Sequence, residues 1–154
     1  MNRGYFITGT DTDAGKTAVA AAVLCQLRRG GLDAVPMKPV QTGCLADAAG
    51  CRRSPDVDFC LAMAGLPDPV PASYEQMVPC RFPLPASPHL AAAQAGGRVE
   101  LARIVAAHRA LQARHDAVVV EGAGGVLVPL DDSGLTMLDL MRALGLPVLL
   151  TARP

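Results

Sequence analysis

"GTDTDAGKT", Gly9 to Thr17, decides how the rest of the chain is read. A phosphate-binding loop needs a glycine, four residues, then Gly-Lys-Ser/Thr. Gly15-Lys16-Thr17 supplies the end of that pattern, but Thr10 stands where the first glycine belongs and Gly9 comes one position early. The surroundings are nevertheless those of a phosphate loop. "GYFITGT", Gly4 to Thr10, is a short apolar run that reads as a buried strand. Lys16 to Arg29 reads as a helix rich in Ala and Leu, with Arg28 and Arg29 in its last turn and Gly30-Gly31 as its stop. Gly9 and Gly15 let backbone N–H groups turn onto phosphate oxygens, and the helix start adds its dipole. Lys16 is placed to reach terminal phosphates and the Thr17 hydroxyl to bind Mg²⁺.

Working outward, "DAVPMKPV", Asp33 to Val40, reads as a second strand that ends at the Lys38-Pro39 turn. Strand, loop, helix and strand make a βαβ unit and imply a parallel sheet. Gln41 to Ser54 has no clear period and is expected to be loop. Asp56 to Ala64 is expected to be a short helix. Residues 67–88 hold seven prolines and are expected to be a surface excursion without regular structure. Ser87 and Pro88 open another helix. Val99 to Arg114 is amphipathic, with Leu101, Ile104, Val105, His108 and Leu111 at helical spacing. Asp116 to Gly122 reads as a buried strand, Thr136 to Asp139 as a capping box opening a helix to Leu144, and Pro147 to Thr151 as one more buried strand.

The 154 residues suit one P-loop nucleotide-binding domain, 1–154, and 51% of them are apolar, enough to bury a core. Formal net charge is zero and no Lys/Arg run appears, which argues against a nucleic-acid or anionic-membrane partner. The longest apolar run, Ala18 to Cys25, is too short to span a bilayer. No leader is read at the start. The five cysteines (Cys25, Cys44, Cys51, Cys60, Cys80) include no C-x-x-C pair. Free thiols and a cytoplasmic location are therefore expected.

Two further stretches carry chemistry. In "MKPVQTG", Met37 to Gly43, Lys38 falls at a strand end, the edge of an open parallel sheet that faces a ligand crevice. It can hold a phosphoryl group or a substrate anion, and Thr42 can hydrogen-bond a polar substrate. In "EGAGG", Glu121 to Gly125, a carboxylate at another strand end can ligate Mg²⁺ and the glycines bring backbone close to a ligand. Together with the phosphate loop they point to a Mg²⁺-nucleotide site with a second substrate beside it. His108 and His115 read as helix-surface or helix-end residues, and His89 as a structural residue of a helix start. Asp11 is left open between shaping the loop and meeting a substrate amine.

"GTDTDAGKT", "KPVQTG", "SPHLAA" and "EGAGGVLVPL" come in the order and rough spacing of dethiobiotin synthetase, and from Tyr5 to Pro154 the chain resembles that family. Its loop is G-T-D-T-x-x-G-K-T, so the early glycine looks like a family variant. The resemblance implies a P-loop NTPase-like parallel sheet flanked by helices. It implies that ATP, 7,8-diaminononanoate and CO₂ or bicarbonate are converted to dethiobiotin through a carbamate and a carbamic–phosphoric anhydride. Carried over by position, Lys38 and Lys16 would be catalytic. Asp13, Ala14, Gly15, Lys16, Thr17, Ala18, Asp56, Glu121, Gly122, Ala123 and Gly124 would bind ATP. Thr42 and Lys38 would meet the substrate, and Thr17, Asp56 and Glu121 would hold Mg²⁺, with Asp58 the alternative to Asp56.

The family also has segments past the last strand here: a helix start that helps bind the substrate's carboxylate tail across a homodimer interface, and an Asn that reads adenine. Without them the expected sheet lacks its C-terminal strands and helices and leaves apolar surface at Leu149 and Leu150, and the chain is expected to bind MgATP weakly and to turn over poorly or not at all. Three other readings stand beside the synthetase. One is another ATPase of the same loop class, against which the absence of a lysine before Lys16 argues. The others are an amidoligase domain and a non-catalytic nucleotide-binding remnant.

Overall fold

The structure, a computed structural model, describes residues 4–48, 52–69 and 71–153. Strand β1 (Gly4–Gly9) leads into helix α1 (Lys16–Arg29), followed by β2 (Ala34–Met37). Much later in the chain come helix α5 (Leu101–Gln112), β7 (Ala117–Gly125), α6 (Met137–Leu144) and β8 (Val148–Thr151). The four strands form one parallel sheet in the order β2-β7-β1-β8. The first βαβ unit thus skips a place, and β7 fills it, with Phe6 opposite Val120 and Met37 also opposite Val120. Because all four strands run the same way, Gly9, Met37, Glu121 and Thr151 come out at one edge.

Alternation along the central strands explains why both faces are covered. Ile7, Ala117 and Val119 pack with Ala20, Ala21 and Leu24 of α1 and with Cys60. Phe6, Val118 and Val120 face the other way, toward Ile104 and Leu111 of α5 and Met137 and Leu140 of α6. The small side chains Ala20 and Ala21 let α1 lie close to the sheet. Pro36 is tolerated within β2 because β2 is an edge strand and needs a partner on one side only. The capping box of α6 is present: Thr136 N donates to Asp139 Oδ2 at 2.9 Å, and Gly145, at φ 62°, ends the helix.

Two expectations from the sequence are corrected. Gln41 to Ser54 is not simply loop. It contains the end of β3 (Val40–Thr42), then β4 (Leu45–Ala46) and β5 (Arg52–Arg53), before helix α2 (Pro55–Met63). Residues 67–88 are not a bare surface excursion either. They form helix α3 (Pro71–Met77) and strand β6 (Cys80–Phe82), and helix α4 (Pro88–Gln94) begins at their end. Tyr74, Met77, Val78 and Cys80 are buried there. Pro71 and Pro88 sit at the first positions of α3 and α4, and Pro79 just before β6, where a missing N–H does no harm. β3 and β6 pair in parallel as a small second sheet.

β8 is also less buried than its apolar run suggests. It is an edge strand, and Val148, Leu149 and Leu150 are 48%, 37% and 60% exposed, so the apolar surface expected at Leu149 and Leu150 is present. Cys25, Cys44, Cys60 and Cys80 are free thiols, as expected, and burial pushes the Cys60 thiol up to about 12; Cys51 lies outside the described residues. Among the described residues no helix is long and apolar enough to cross a membrane.

His108 is a further correction. It lies on the inner face of α5, 2% exposed, and its Nε2 has no hydrogen-bond partner among the described residues. Burial lowers its pKa to about 4, so it stays neutral in the fold while an unfolded chain would titrate it near 6.5. A depressed pKa means the contribution is complete above pH 6.5 and is lost as pH falls toward 4. Unfolding in urea is therefore expected to show stability falling by roughly 3 kcal/mol over that range. His108→Leu should flatten that part of the profile, and an unchanged slope in the variant would remove His108 as the cause.

Candidate active site

The phosphate loop starts where β1 ends. A Cβ at Gly9 would lie 3.0 Å from Thr151 Oγ1 and 3.2 Å from both Asp11 O and the Ala14 Cβ. The tight position in this loop is therefore residue 9, which is why the glycine sits there and Thr10 is free to carry a side chain. Gly15, at φ 87°, makes the left-handed turn into α1. Asp11 shapes the loop, its Oδ1 accepting from Thr12 N at 2.6 Å. Lys16 is 4% exposed, and its Nζ donates to Asp11 O at 2.6 Å and to Thr12 O at 2.8 Å. It is satisfied by loop carbonyls that a phosphate oxygen can replace.

Four elements meet beside this loop. Lys38, just past β2, donates to Glu121 Oε1 of β7 at 2.7 Å and to Gly122 O at 3.1 Å. The same Nζ lies 2.6 Å from Asp56 Oδ2, in the first turn of α2. Thr17 Oγ1, in the first turn of α1, donates to Glu121 Oε1 at 2.9 Å. Lys38 and Glu121 are each 4% exposed. Burial works to lower the Lys38 pKa, but the charges of Glu121 and Asp56 outweigh it and hold the ammonium above its ordinary value. Burial pushes Glu121 above the usual carboxylate range, against the pull of Lys38. Lys16 is shifted down, first by burial and then by the nearby charge of Lys38. Two ammonium groups and two carboxylates thus balance in a water-poor setting, where charge placed on a ligand is felt strongly.

These groups line a cavity of about 570 Å³. Of the residues singled out from the sequence, Asp13, Lys16, Thr17, Lys38, Thr42, Asp56, Glu121, Ala123 and Gly124 line it. Gly122 lends its carbonyl to Lys38, and Gly15 forms the turn beneath. Ala14 and Ala18 do not line it, and Ala18 is exposed on α1. Asp58 is not brought to Lys38; it pairs with Arg53 at 2.8 Å. His115 lies elsewhere, 2.7 Å from Asp33 Oδ2. Sequence reasoning misses Thr12, Gln41, Pro85, Ala86 and Val128 as cavity walls. Gln41 is within its reach, since it alternates with Val40 and Thr42 inside "KPVQTG". Pro85 and Ala86 are hidden in the proline-rich stretch.

The oxygen donors Thr17 Oγ1, Asp56 and Glu121 suit a hard cation. Among the described residues no group of three or more His, Cys, Asp or Glu converges.

The Lys38 cluster should also be visible in stability. Lys38→Ala leaves Glu121 buried beside Asp56 without the ammonium that pairs with both, and an expected loss of about 3–5 kcal/mol follows in urea unfolding at pH 7. Adding Glu121→Gln removes the stranded charge and should restore part of that loss. Strictly additive losses in the double variant would contradict the coupling.

A protein-family profile described as AAA domain matches residues 3–154. A relative from Anaeromyxobacter dehalogenans (strain 2CP-C), named ATP-dependent dethiobiotin synthetase BioD, is 49% identical over 151 residues. That alignment covers 98% of this chain and 63% of the relative. A relative of the same name from Nitrosospira multiformis is 42% identical over 152 residues, covering 97% of this chain and 62% of its own length. The chain thus spans under two thirds of the length of these curated relatives. With its parallel sheet, its phosphate loop and a match running from residue 3 to 154, the chain belongs to the AAA-domain family, and within it resembles the dethiobiotin synthetases.

Proposed function

We propose that this chain acts in ATP-dependent dethiobiotin synthesis, using ATP, 7,8-diaminononanoate and CO₂ or bicarbonate as small-molecule substrates. The observation that carries the reading is the convergence of Lys38, Glu121, Asp56 and Thr17 on one cavity beside the phosphate loop. The names of the relatives support the same reaction.

One amine of the substrate attacks CO₂, loses a proton and becomes a carbamate. A carbamate oxygen attacks the γ-phosphorus of ATP, and ADP leaves. The neighbouring amine then attacks the carbonyl carbon, phosphate departs, and the ureido ring closes with loss of a second proton. Little covalent help is required, so the protein's part is alignment and charge neutralisation. Lys16, released from Asp11 O and Thr12 O, holds the β- and γ-phosphates, and the α1 N-terminus adds its N–H groups. Lys38 stabilises the carbamate and then the transferring phosphoryl group. Thr42, at the far wall, hydrogen-bonds the diamine substrate. Thr17, Asp56 and Glu121 would hold Mg²⁺, which when bound would supply positive charge to offset that of the phosphates. Asp13, Ala123 and Gly124 wall the nucleotide side. The same reading carries a homodimer where the family's segment past β8 is present, and sedimentation of that longer chain checks it.

The test is phosphate release from MgATP with and without the diamine and bicarbonate. Release is expected only with all three present, and Lys38→Ala should lower it by about 10²–10³-fold, the scale for removing one transition-state charge contact. ATP binding without diamine-dependent release would instead favour a nucleotide-binding role. Thr42→Val should raise the KM for the diamine while leaving that for ATP in place.

A further inference from the structure

Asp56 owes its direction to contacts made on the opposite side of its helix. α2 starts at Ser54, which is fully buried and caps the helix, its Oγ accepting from Val57 N at 3.2 Å and donating to Gln41 Oε1 at 2.6 Å. Ser54 N donates to the Tyr74 hydroxyl of α3 at 2.7 Å, and that hydroxyl donates to Asp58 Oδ1 at 2.9 Å. Arg53 grips Asp58 through Nε at 3.2 Å and Nη2 at 2.8 Å, and its guanidinium lies 4.0 Å above the Tyr74 ring. Residues two apart on an α-helix project about 200° apart. Asp56 therefore reaches Lys38 on one side of α2 while Asp58 reaches Tyr74 and Arg53 on the other. The rotation of the helix about its axis is held from both sides.

We infer that Tyr74 is a positioning residue for Asp56: its hydroxyl, held between Ser54 N and Asp58, fixes the first turn of α2 and so keeps the Asp56 carboxylate on Lys38. The inference rests on the reading of Asp56 as part of the phosphate-transfer site. Tyr74 is 3% exposed, and at its hydroxyl one group both accepts from a backbone N–H and donates to a carboxylate. Among side chains of this shape only tyrosine does both. Phenylalanine would keep the ring and its contact with Arg53 but leave Ser54 N–H and Asp58 Oδ1 each short of a partner. Tyr74 does not line the active cavity, and its hydroxyl reaches it through α2.

The experiment compares Tyr74→Phe, Asp56→Asn and the double variant by two readouts. The first needs no nucleotide: hydrogen exchange at the Lys38 ammonium, followed by NMR with ¹⁵N-labelled lysine. Tyr74→Phe is expected to speed that exchange about fivefold, the equivalent of one hydrogen bond, and to add nothing further in the Asp56→Asn background. The second is binding of a fluorescent ATP analogue with and without Mg²⁺. Tyr74→Phe should weaken binding in Mg²⁺ by a similar factor and leave Mg²⁺-free binding unchanged. Asp58→Ala, which removes the acceptor of the same hydroxyl, should act in the same direction and stands in should Tyr74→Phe fail to fold. Unchanged Lys38 exchange, or an effect of Tyr74→Phe that persists undiminished in Asp56→Asn, would overturn the inference. A wild-type chain that binds no MgATP would sink the synthetase reading alone, since the exchange measurement still reports the link between Tyr74 and Asp56.

Discussion

The pairing of Lys38 with Glu121 ties the ends of β2 and β7 together, and the rest of the site is arranged around it. Both groups are almost wholly buried, so neither tolerates the loss of the other. Glu121 takes a second hydrogen bond from Thr17, which brings in the start of α1 and with it the phosphate loop. Lys38 takes a second carboxylate from Asp56, which brings in the start of α2. One ion pair thus links two strand ends and two helix starts. The sheet order makes this possible, because β7 lies between β1 and β2 and carries Glu121 into the gap between loop and lysine.

The layers outside that pair serve to keep it in place. The apolar residues of β1 and β7 alternate between the α1 face and the α5–α6 face, which leaves the strands no freedom to slip by one residue. β3 lines one side of the cavity and pairs with β6, and Tyr74 and Cys80 are buried in the core on the α5–α6 face of the sheet. A segment dense in proline can do this because its ordered pieces are short, with Pro71, Pro79 and Pro88 at or just before their starts and the other prolines outside them.

Much of the site is legible in the amino-acid sequence. Gly-Lys-Thr between a strand and a helix announces the loop, and Lys38 and Glu121 each stand at the end of an apolar run. Asp56 is separable from Asp58 only loosely, by its nearness to the helix start. Their opposite directions on α2 settle which of them Lys38 meets. The proline-rich stretch misleads because composition signals the absence of long regular elements and is silent about short ones. His108 misleads because its helical spacing with Ile104 and Leu111 marks it for the inner face, while its polarity suggests the outer one.

The order of strong local signals, apolar run, glycine loop, helix and strand-end charge, was determined by the sequence alone. Such signals depend on near neighbours: a phosphate loop needs its glycines, and a parallel strand needs its apolar faces. Only the tertiary structure decided which strand lies beside which, that Lys38 bridges Glu121 and Asp56, and that a tyrosine from α3 holds α2 in place. Those contacts join residues far apart in the chain, 83 positions for Lys38 and Glu121 and more for the paired strands β1 and β8, and no local preference encodes them. They follow from the sheet closing around one buried charge pair.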